Sequence, residues 1–251
     1  MVSASPFSTL PPEVICRVFE SADDFCEVAA LAQTARIFYR TWRENPTSIC
    51  RAVAPRVISN LTDAERLLDM QEEAEAGSQS QDGREQNSII RAKRLLSNAR
   101  CASAASDNWV DLLQIHETFD RGEHRGEDPH MRPSELARFE HAFYCVWTIG
   151  VMASAPHLQD QASAFLDECS PRELCRLDEL SVWATSYNNN DFGSSGLDLE
   201  DEVWKAGCDL VSKRWMAYRD GKQIAGPDYT PLYFFAFFDH TQRFIDLIQD
   251  E

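Results

Sequence analysis

The densest set of residues able to hold a metal or move a proton is His116-Glu117, Asp120, His124, Asp128 and His130, with His141 a little beyond. A zinc-protease helix needs H-E-x-x-H, so that two imidazoles one turn apart reach the same ion. Here His116-Glu-Thr-Phe-Asp120 puts a carboxylate where the second imidazole belongs. His124 and His130 lie among glycine and proline, which fixes no ligand geometry. The set reads as a solvated polar loop. Carboxylate pairs such as Glu117/Asp120 and Asp178/Glu179 could supply acid–base groups, but with 41 acidic residues chance pairs are inevitable. No phosphate-binding glycine loop, dinucleotide fingerprint or nucleophile elbow is present. No catalytic residue, metal or cofactor is expected, and the chain reads as a non-enzyme.

The eight cysteines (Cys16, Cys26, Cys50, Cys101, Cys145, Cys169, Cys175 and Cys208) are scattered with no C-x-x-C pair. Paired spacing is what a zinc site needs, and a short secreted chain is what a disulfide framework needs. These cysteines are expected to be small buried apolar residues. The start of the chain, Met1-Val-Ser-Ala-Ser-Pro6, does not resemble a secretory signal, and no apolar run approaches the roughly 18 residues of a membrane span. A cytosolic or nuclear protein is expected.

Charge is unevenly spread. Residues 1–58 hold six basic and six acidic residues, so the whole net charge of −17 falls in residues 59–251. An acidic body repels phosphate backbones, which argues against nucleic-acid partners. It is first a solvated surface, and second a surface able to steer basic partners.

The elements that must position any site are helices. Leu10–Glu20 places Val14, Ile15, Val18 and Phe19 on one face, with Pro11 and Pro12 suited to a first turn. A second helix is expected from Phe25 to Thr34, and a third around Phe38, Tyr39 and Trp42. Asn45-Pro46 reads as cap and first position for Ser48–Val53. Thr62-Asp-Ala-Glu65 reads as a capping box opening a helix through Leu67, Leu68 and Met70. Ala76–Asn87 has no apolar residue larger than alanine and is expected to be a flexible linker. Helices follow at Ser88–Arg100 and Trp109–Phe119, then a polar loop at Asp120–Arg132.

The most hydrophobic helix begins after Pro133, carrying Leu136, Phe139, Phe143, Val146, Trp147 and Val151, and should lie at the centre. Ser170-Pro-Arg-Glu173 announces another through Leu174, Leu177, Leu180 and Trp183. Asn188–Gly196 is a further loop, Leu199–Tyr218 a helix stopping at Asp220-Gly221, and Thr230-Pro231 opens a last helical stretch toward Ile248. Trp109, Trp147, Trp183, Trp204 and Trp215, and the cluster Phe234–Phe238, are expected to be core. No alternating strand pattern and no repeat occurs. The fold class is all-α: a short module over residues 1–58, then an acidic helical bundle over 59–251. Within it, residues 88–251 should unfold as one unit centred on Phe139, Phe143, Trp147, Leu177 and Leu180.

Leu10-Pro11-Pro12-Glu13, Val18-Phe19 at the end of the first helix, Val28 and Leu31 in the second, and Arg36-Ile-Phe38-Tyr39 together resemble an F-box. The resemblance implies a three-helix module that docks the Skp subunit of a Skp–cullin–F-box ubiquitin ligase. It implies Leu10, Pro11, Val14, Val18, Phe19, Val28, Leu31 and Phe38 as contacts or supports of that docking. The rest of the chain resembles the helical C-terminal regions of filamentous-fungal F-box-like proteins, through Arg132–Phe139, Tyr144–Trp147 and Ser170–Leu177. The implied function is an adaptor presenting an unknown protein target; the alternative is a stand-alone helical interaction module with no ubiquitin-ligase role.

Overall fold

A proline pair ahead of an apolar stretch starts the first helix. The computed structural model describes residues 10–77, 88–117, 131–186 and 202–222, together with Phe237. Pro11 is the N-cap of α1 (Pro12–Glu20), and its carbonyl accepts the Val14 and Ile15 N–H groups at 3.0 and 3.2 Å. Pro12 stands at the first helical position, where its missing N–H leaves no bond unmade. At the other end of α1, Arg56 Nη1 donates to the carbonyl oxygens of Glu20 and Ala22, both at 2.8 Å. The helix end is closed by a cation where the dipole favours one. Nearby, the Ser48 hydroxyl donates to Glu20 Oε1 at 2.6 Å, and that bond is the main cause holding the Glu20 carboxyl below its ordinary value.

Helix α2 (Phe25–Thr34) has Asp24 as N-cap, its carboxylate accepting from Glu27 N at 2.7 Å. Ala35, in extended conformation, separates it from α3 (Arg36–Glu44). Asn45 and Pro46 then open α4 (Pro46–Val57) as expected. The Asn45 side chain turns back, however, and its Nδ2 donates to the Thr41 carbonyl at 3.1 Å instead of capping α4.

These four helices share one core of Ile15, Phe19, Val28, Phe38, Ile49 and Val53. Phe19 sits at its middle, edge-on to Phe38 at 5.9 Å and 6.4 Å from Trp42. By packing, the chain forms two compact units: Met1–Leu61 with Asp82–Ser97, and Thr62–Gln81 with Asn98–Glu251.

The second unit contains most of α5 (Leu61–Gly77), the later part of α6 (Ser88–Glu117), and α7 (Pro133–Ser154), α8 (Gln159–Glu168), α9 (Pro171–Ser186) and α10 (Glu202–Lys222). Helix α7 packs against α8, α9 and α10, and from Ala142 to Met152 all but Trp147 are buried. That explains its nearly unbroken apolar sequence: it has neighbours on most sides. Phe139, Phe143, Leu177 and Leu180 are buried as expected, joined by Trp109, Trp183, Trp204 and Phe237. Phe139 links them, with Trp109, Trp183 and Phe237 at 5.4, 5.8 and 5.4 Å. Trp147 is the exception: it is only half-buried, resting edge-on against Phe143 at 5.9 Å.

Helices α7 and α10 meet through two glycines. A Cβ added to Gly150 would strike the Val203 carbonyl oxygen, and one on Gly207 the Val146 carbonyl oxygen. Backbone lies directly on backbone, an approach that only glycine permits.

Among the described residues all regular structure is helical, and no helix is long and apolar enough to cross a membrane. Several boundaries differ from expectation for physical reasons. Helix α5 begins at Leu61, so Thr62 lies inside its first turn rather than at the cap. It continues through Gly77, and the remainder of the expected linker lies outside the described residues. The stretch between Arg100 and Trp109 does not break the helix: Cys101, Ala102 and Ala105 form a buried small-residue face of the single helix α6. The connection after Ala155 holds the unforeseen helix α8, whose mostly polar sequence buries only Ala162 and Leu166. Helix α10 runs through Gly221. The Asp120–Arg132 loop up to residue 130, the Asn188–Gly196 loop and the last helical stretch lie outside the described residues.

The Ser170 box forms as expected. Glu173 N donates to Ser170 Oγ at 3.2 Å, and Ser170 N donates to Glu173 Oε2 at 2.8 Å. Further along α9, burial pushes the Asp178 carboxyl up to about 6, against the Ser212 hydrogen bond and the Arg219 charge. A carboxyl raised in the folded state is fully tolerated below its unfolded value and costs stability as pH rises through the folded value. Wild-type stability should fall by about 2 kcal/mol between pH 4 and pH 7 from this group. Asp178→Asn should flatten that part of the profile, as read by urea unfolding across pH.

Candidate functional site

The eight residues singled out by the F-box resemblance divide into three sets. Phe19, Val28 and Phe38 are buried in the core of the first unit. They hold the helices together and are not available as contacts, so any role in docking is as supports. Leu10 and Leu31 are half-buried and pack against that core from its edge. Pro11, Val14 and Val18 are exposed, the two valines at 44% and 38%.

Val14 and Val18 stand one turn apart on α1, with exposed Pro11 just ahead of them at its N-cap. One residue over, Ile15 and Phe19 are at 0%. The apolar face that looked single in sequence is therefore two adjacent rows, one turned into the core and one turned out. A helix anchored by Ile15 and Phe19 and serving only its own unit would gain by carrying polar residues on the outer row. The surrounding outer positions do so: Glu13, Arg17 and Ser21 are exposed. Arg17 Nη1 is 3.0 Å from Glu20 Oε2, which keeps two charged groups beside the row and off it.

In the second unit, only His141 of the histidine and carboxylate set falls among the described residues with its side chain. Asp120, His124, Asp128 and His130, and the side chains of His116 and Glu117, lie outside the described residues. Among the described residues no group of three or more His, Cys, Asp or Glu could hold a metal ion.

His141 has a different partner. Its Nδ1 is 2.7 Å from Asp63 Oδ2, and its Nε2 is 3.7 Å from Cys145 Sγ. The hydrogen bond to Asp63, then that to Cys145, push His141 up to about 10 against the opposing effect of burial. The imidazole is thus a cation at neutral pH. His141 and Cys145 line a cavity of about 170 Å³ with Arg66, Cys169, Glu173 and Arg176. Sequence reading missed this site. The spacing His141-x-x-x-Cys145 was the available signal, since i and i+4 share a helix face; Asp63 comes from α5, 78 positions away.

No protein-family model, curated protein or solved structure matches this chain.

Proposed function

We propose that the first unit is an F-box-type docking module and that the protein is an adaptor of a Skp–cullin–F-box ubiquitin ligase. The observation that carries this is the outward row Val14 and Val18, with Pro11 just ahead of it, on a helix whose neighbouring row, Ile15 and Phe19, is fully buried. The buried row fixes the helix; the exposed row is apolar surface offered to a partner. In the docked state these side chains would be the desolvated centre of the interface, where a few residues carry most of the binding free energy. Leu10 and Leu31 would flank that centre.

The second unit would carry the target. An adaptor needs no chemistry of its own: holding a substrate lysine near a charged conjugating enzyme raises its effective concentration and replaces a bimolecular encounter. The acidic composition of residues 59–251 favours a basic target surface through faster encounter.

Co-expression of the whole chain with the Skp subunit of its host tests the proposal. A stoichiometric complex surviving size exclusion is the expected result. A chain that elutes alone, at micromolar concentrations of both proteins, would favour the stand-alone interaction module instead.

A further inference from the structure

A thiol and an imidazole line the second unit's cavity, and a carboxylate holds the far side of the imidazole. Cys145 Sγ, His141 Nε2, His141 Nδ1 and Asp63 Oδ2 are linked by contacts of 3.7 and 2.7 Å. The order is that of a nucleophile, its proton partner and the group that orients the ring. We propose that Cys145 is a peroxide-reactive thiol, activated by His141 and positioned by Asp63, and that the cavity admits a small hydroperoxide.

The parts come from two places in the chain, and the meeting of Asp63 with His141, 78 positions apart, is the specific one. His141, partly exposed, and Cys145, buried, are one turn apart on α7, and Asp63 stands on α5 beside the ring. The carboxylate does two things. It fixes the ring so that Nε2 faces the sulfur, and it keeps the imidazole charged at neutral pH. With Nε2 at 3.7 Å from the sulfur, the ring is placed to hand a proton to a group leaving from that sulfur's partner.

The choice of reactant follows from access and from the walls. Cys145 is 5% exposed, so only a small reactant reaches its sulfur. A cavity of about 170 Å³ has room for a molecule of a few heavy atoms. Acyl transfer would also need backbone N–H groups aimed at a developing oxyanion. The α7 wall here lies mid-helix, where N–H groups are engaged by the helix itself, and Glu173 N at the head of α9 is taken by Ser170. Peroxide makes a lesser demand. It needs a thiolate, space for two oxygens and one proton for the leaving group.

The step balances without another reagent. The Cys145 thiolate attacks one peroxide oxygen; the S–O bond forms as the O–O bond breaks. Sulfur loses two electrons and the peroxide gains them. The departing hydroxide takes the proton from His141 Nε2 and leaves as water, and Cys145 remains as the sulfenic acid. Arg66 and Arg176 line the same cavity, with Glu168 and Glu173 beside them, so its rim is polar and carries both signs of charge.

Cys169 lines the cavity too and is the internal comparison. Its thiol donates to the Phe165 carbonyl oxygen at 3.3 Å, and burial pushes it up to about 12. Sharing the cavity without sharing the histidine, it should stay inert.

The test treats the whole native chain with hydrogen peroxide, quenches with catalase, denatures in dimedone and maps the label by mass spectrometry. Cys145 should be labelled and Cys169 not. Cys145 should also react faster in the native chain than in urea, where the three side chains separate, whereas a merely buried thiol reacts more slowly when native. Asp63→Asn, and independently His141→Gln, should slow Cys145 by about tenfold or more, with exposed Cys26 in the same molecules unchanged and the circular dichroism spectrum retained. Native labelling of Cys145 slower than in urea would overturn the proposal, as would an unchanged Cys145 rate in a folded Asp63→Asn variant.

Discussion

Phe143→Ala is expected to lower the unfolding free energy by about 3–5 kcal/mol, and Trp147→Ala, one turn further along α7, by about 1–2 kcal/mol. Phe143 is fully buried, with Trp204 at 4.8 Å, Phe139 at 6.4 Å and Tyr144 at 6.3 Å. Removing its ring empties a space bounded by four other rings and by α10, which cannot all close in. Trp147 rests on the outer side of Phe143 and is partly exposed, so truncation leaves a notch that water fills. Both residues look alike in sequence, four apart in the most apolar helix of the chain. Denaturant titration followed by circular dichroism would separate them, and equal losses would mean that the aromatic cluster is arranged otherwise.

Gly150→Ala and Gly207→Ala should each cost at least the upper part of the roughly 1–3 kcal/mol typical of overpacking. In an open helix the same change is stabilising by up to about 1 kcal/mol, because alanine loses less backbone freedom than glycine. The sign reverses here because the obstacle is backbone. The new methyl group on Gly150 meets the Val203 carbonyl and the one on Gly207 meets the Val146 carbonyl, and neither can swing aside as a side chain would. To accept it, α7 and α10 must separate along their whole shared length, which loosens Phe143 against Trp204 as well. Gly221 is the control within the same helix: nothing lies within 4 Å of a Cβ added there, so Gly221→Ala should be neutral or slightly stabilising. Melting temperatures of the three variants would show the contrast. A Gly150→Ala protein as stable as the wild type would mean that the two helices do not touch backbone to backbone.

How much of this could be read from sequence depends on the range of each interaction. Local signals served well. Pro11-Pro12, Asn45-Pro46 and Ser170-Pro171 each mark a helix start, and the helix expected from about Phe25 to Thr34 has those bounds, although Ala35, expected in its apolar stripe, is the extended residue that ends it. Long-range packing was not readable. The run from Arg100 to Trp109 looks like a break until the neighbours that bury Cys101, Ala102 and Ala105 are in place. Helix α8 offers two buried apolar residues, too few to set a period. On α1, spacing alone put Val14, Ile15, Val18 and Phe19 on one face; only the positions of α3 and α4 decide that Ile15 and Phe19 turn in and the valines out. The cavity was least readable, because a charged histidine among apolar residues has no meaning until Asp63 is found beside it.

The docking proposal turns on that outer row, and a two-site variant isolates it. Val14→Asp with Val18→Asp places two carboxylates on exposed positions of α1 and leaves Ile15 and Phe19 untouched, so the melting temperature should stay close to that of the wild type. Phe19→Asp, by contrast, puts a charge into the middle of the first core and should unfold that unit. The most direct measurement is calorimetric titration of the whole chain, wild type and Val14→Asp/Val18→Asp, with the Skp subunit of the host. The expected result is tight binding by the wild type and a loss of about 100-fold or more in the variant, the size that desolvating charges at an interface centre produces. Equal affinity for the two proteins, or no heat of binding from the wild type, would contradict it.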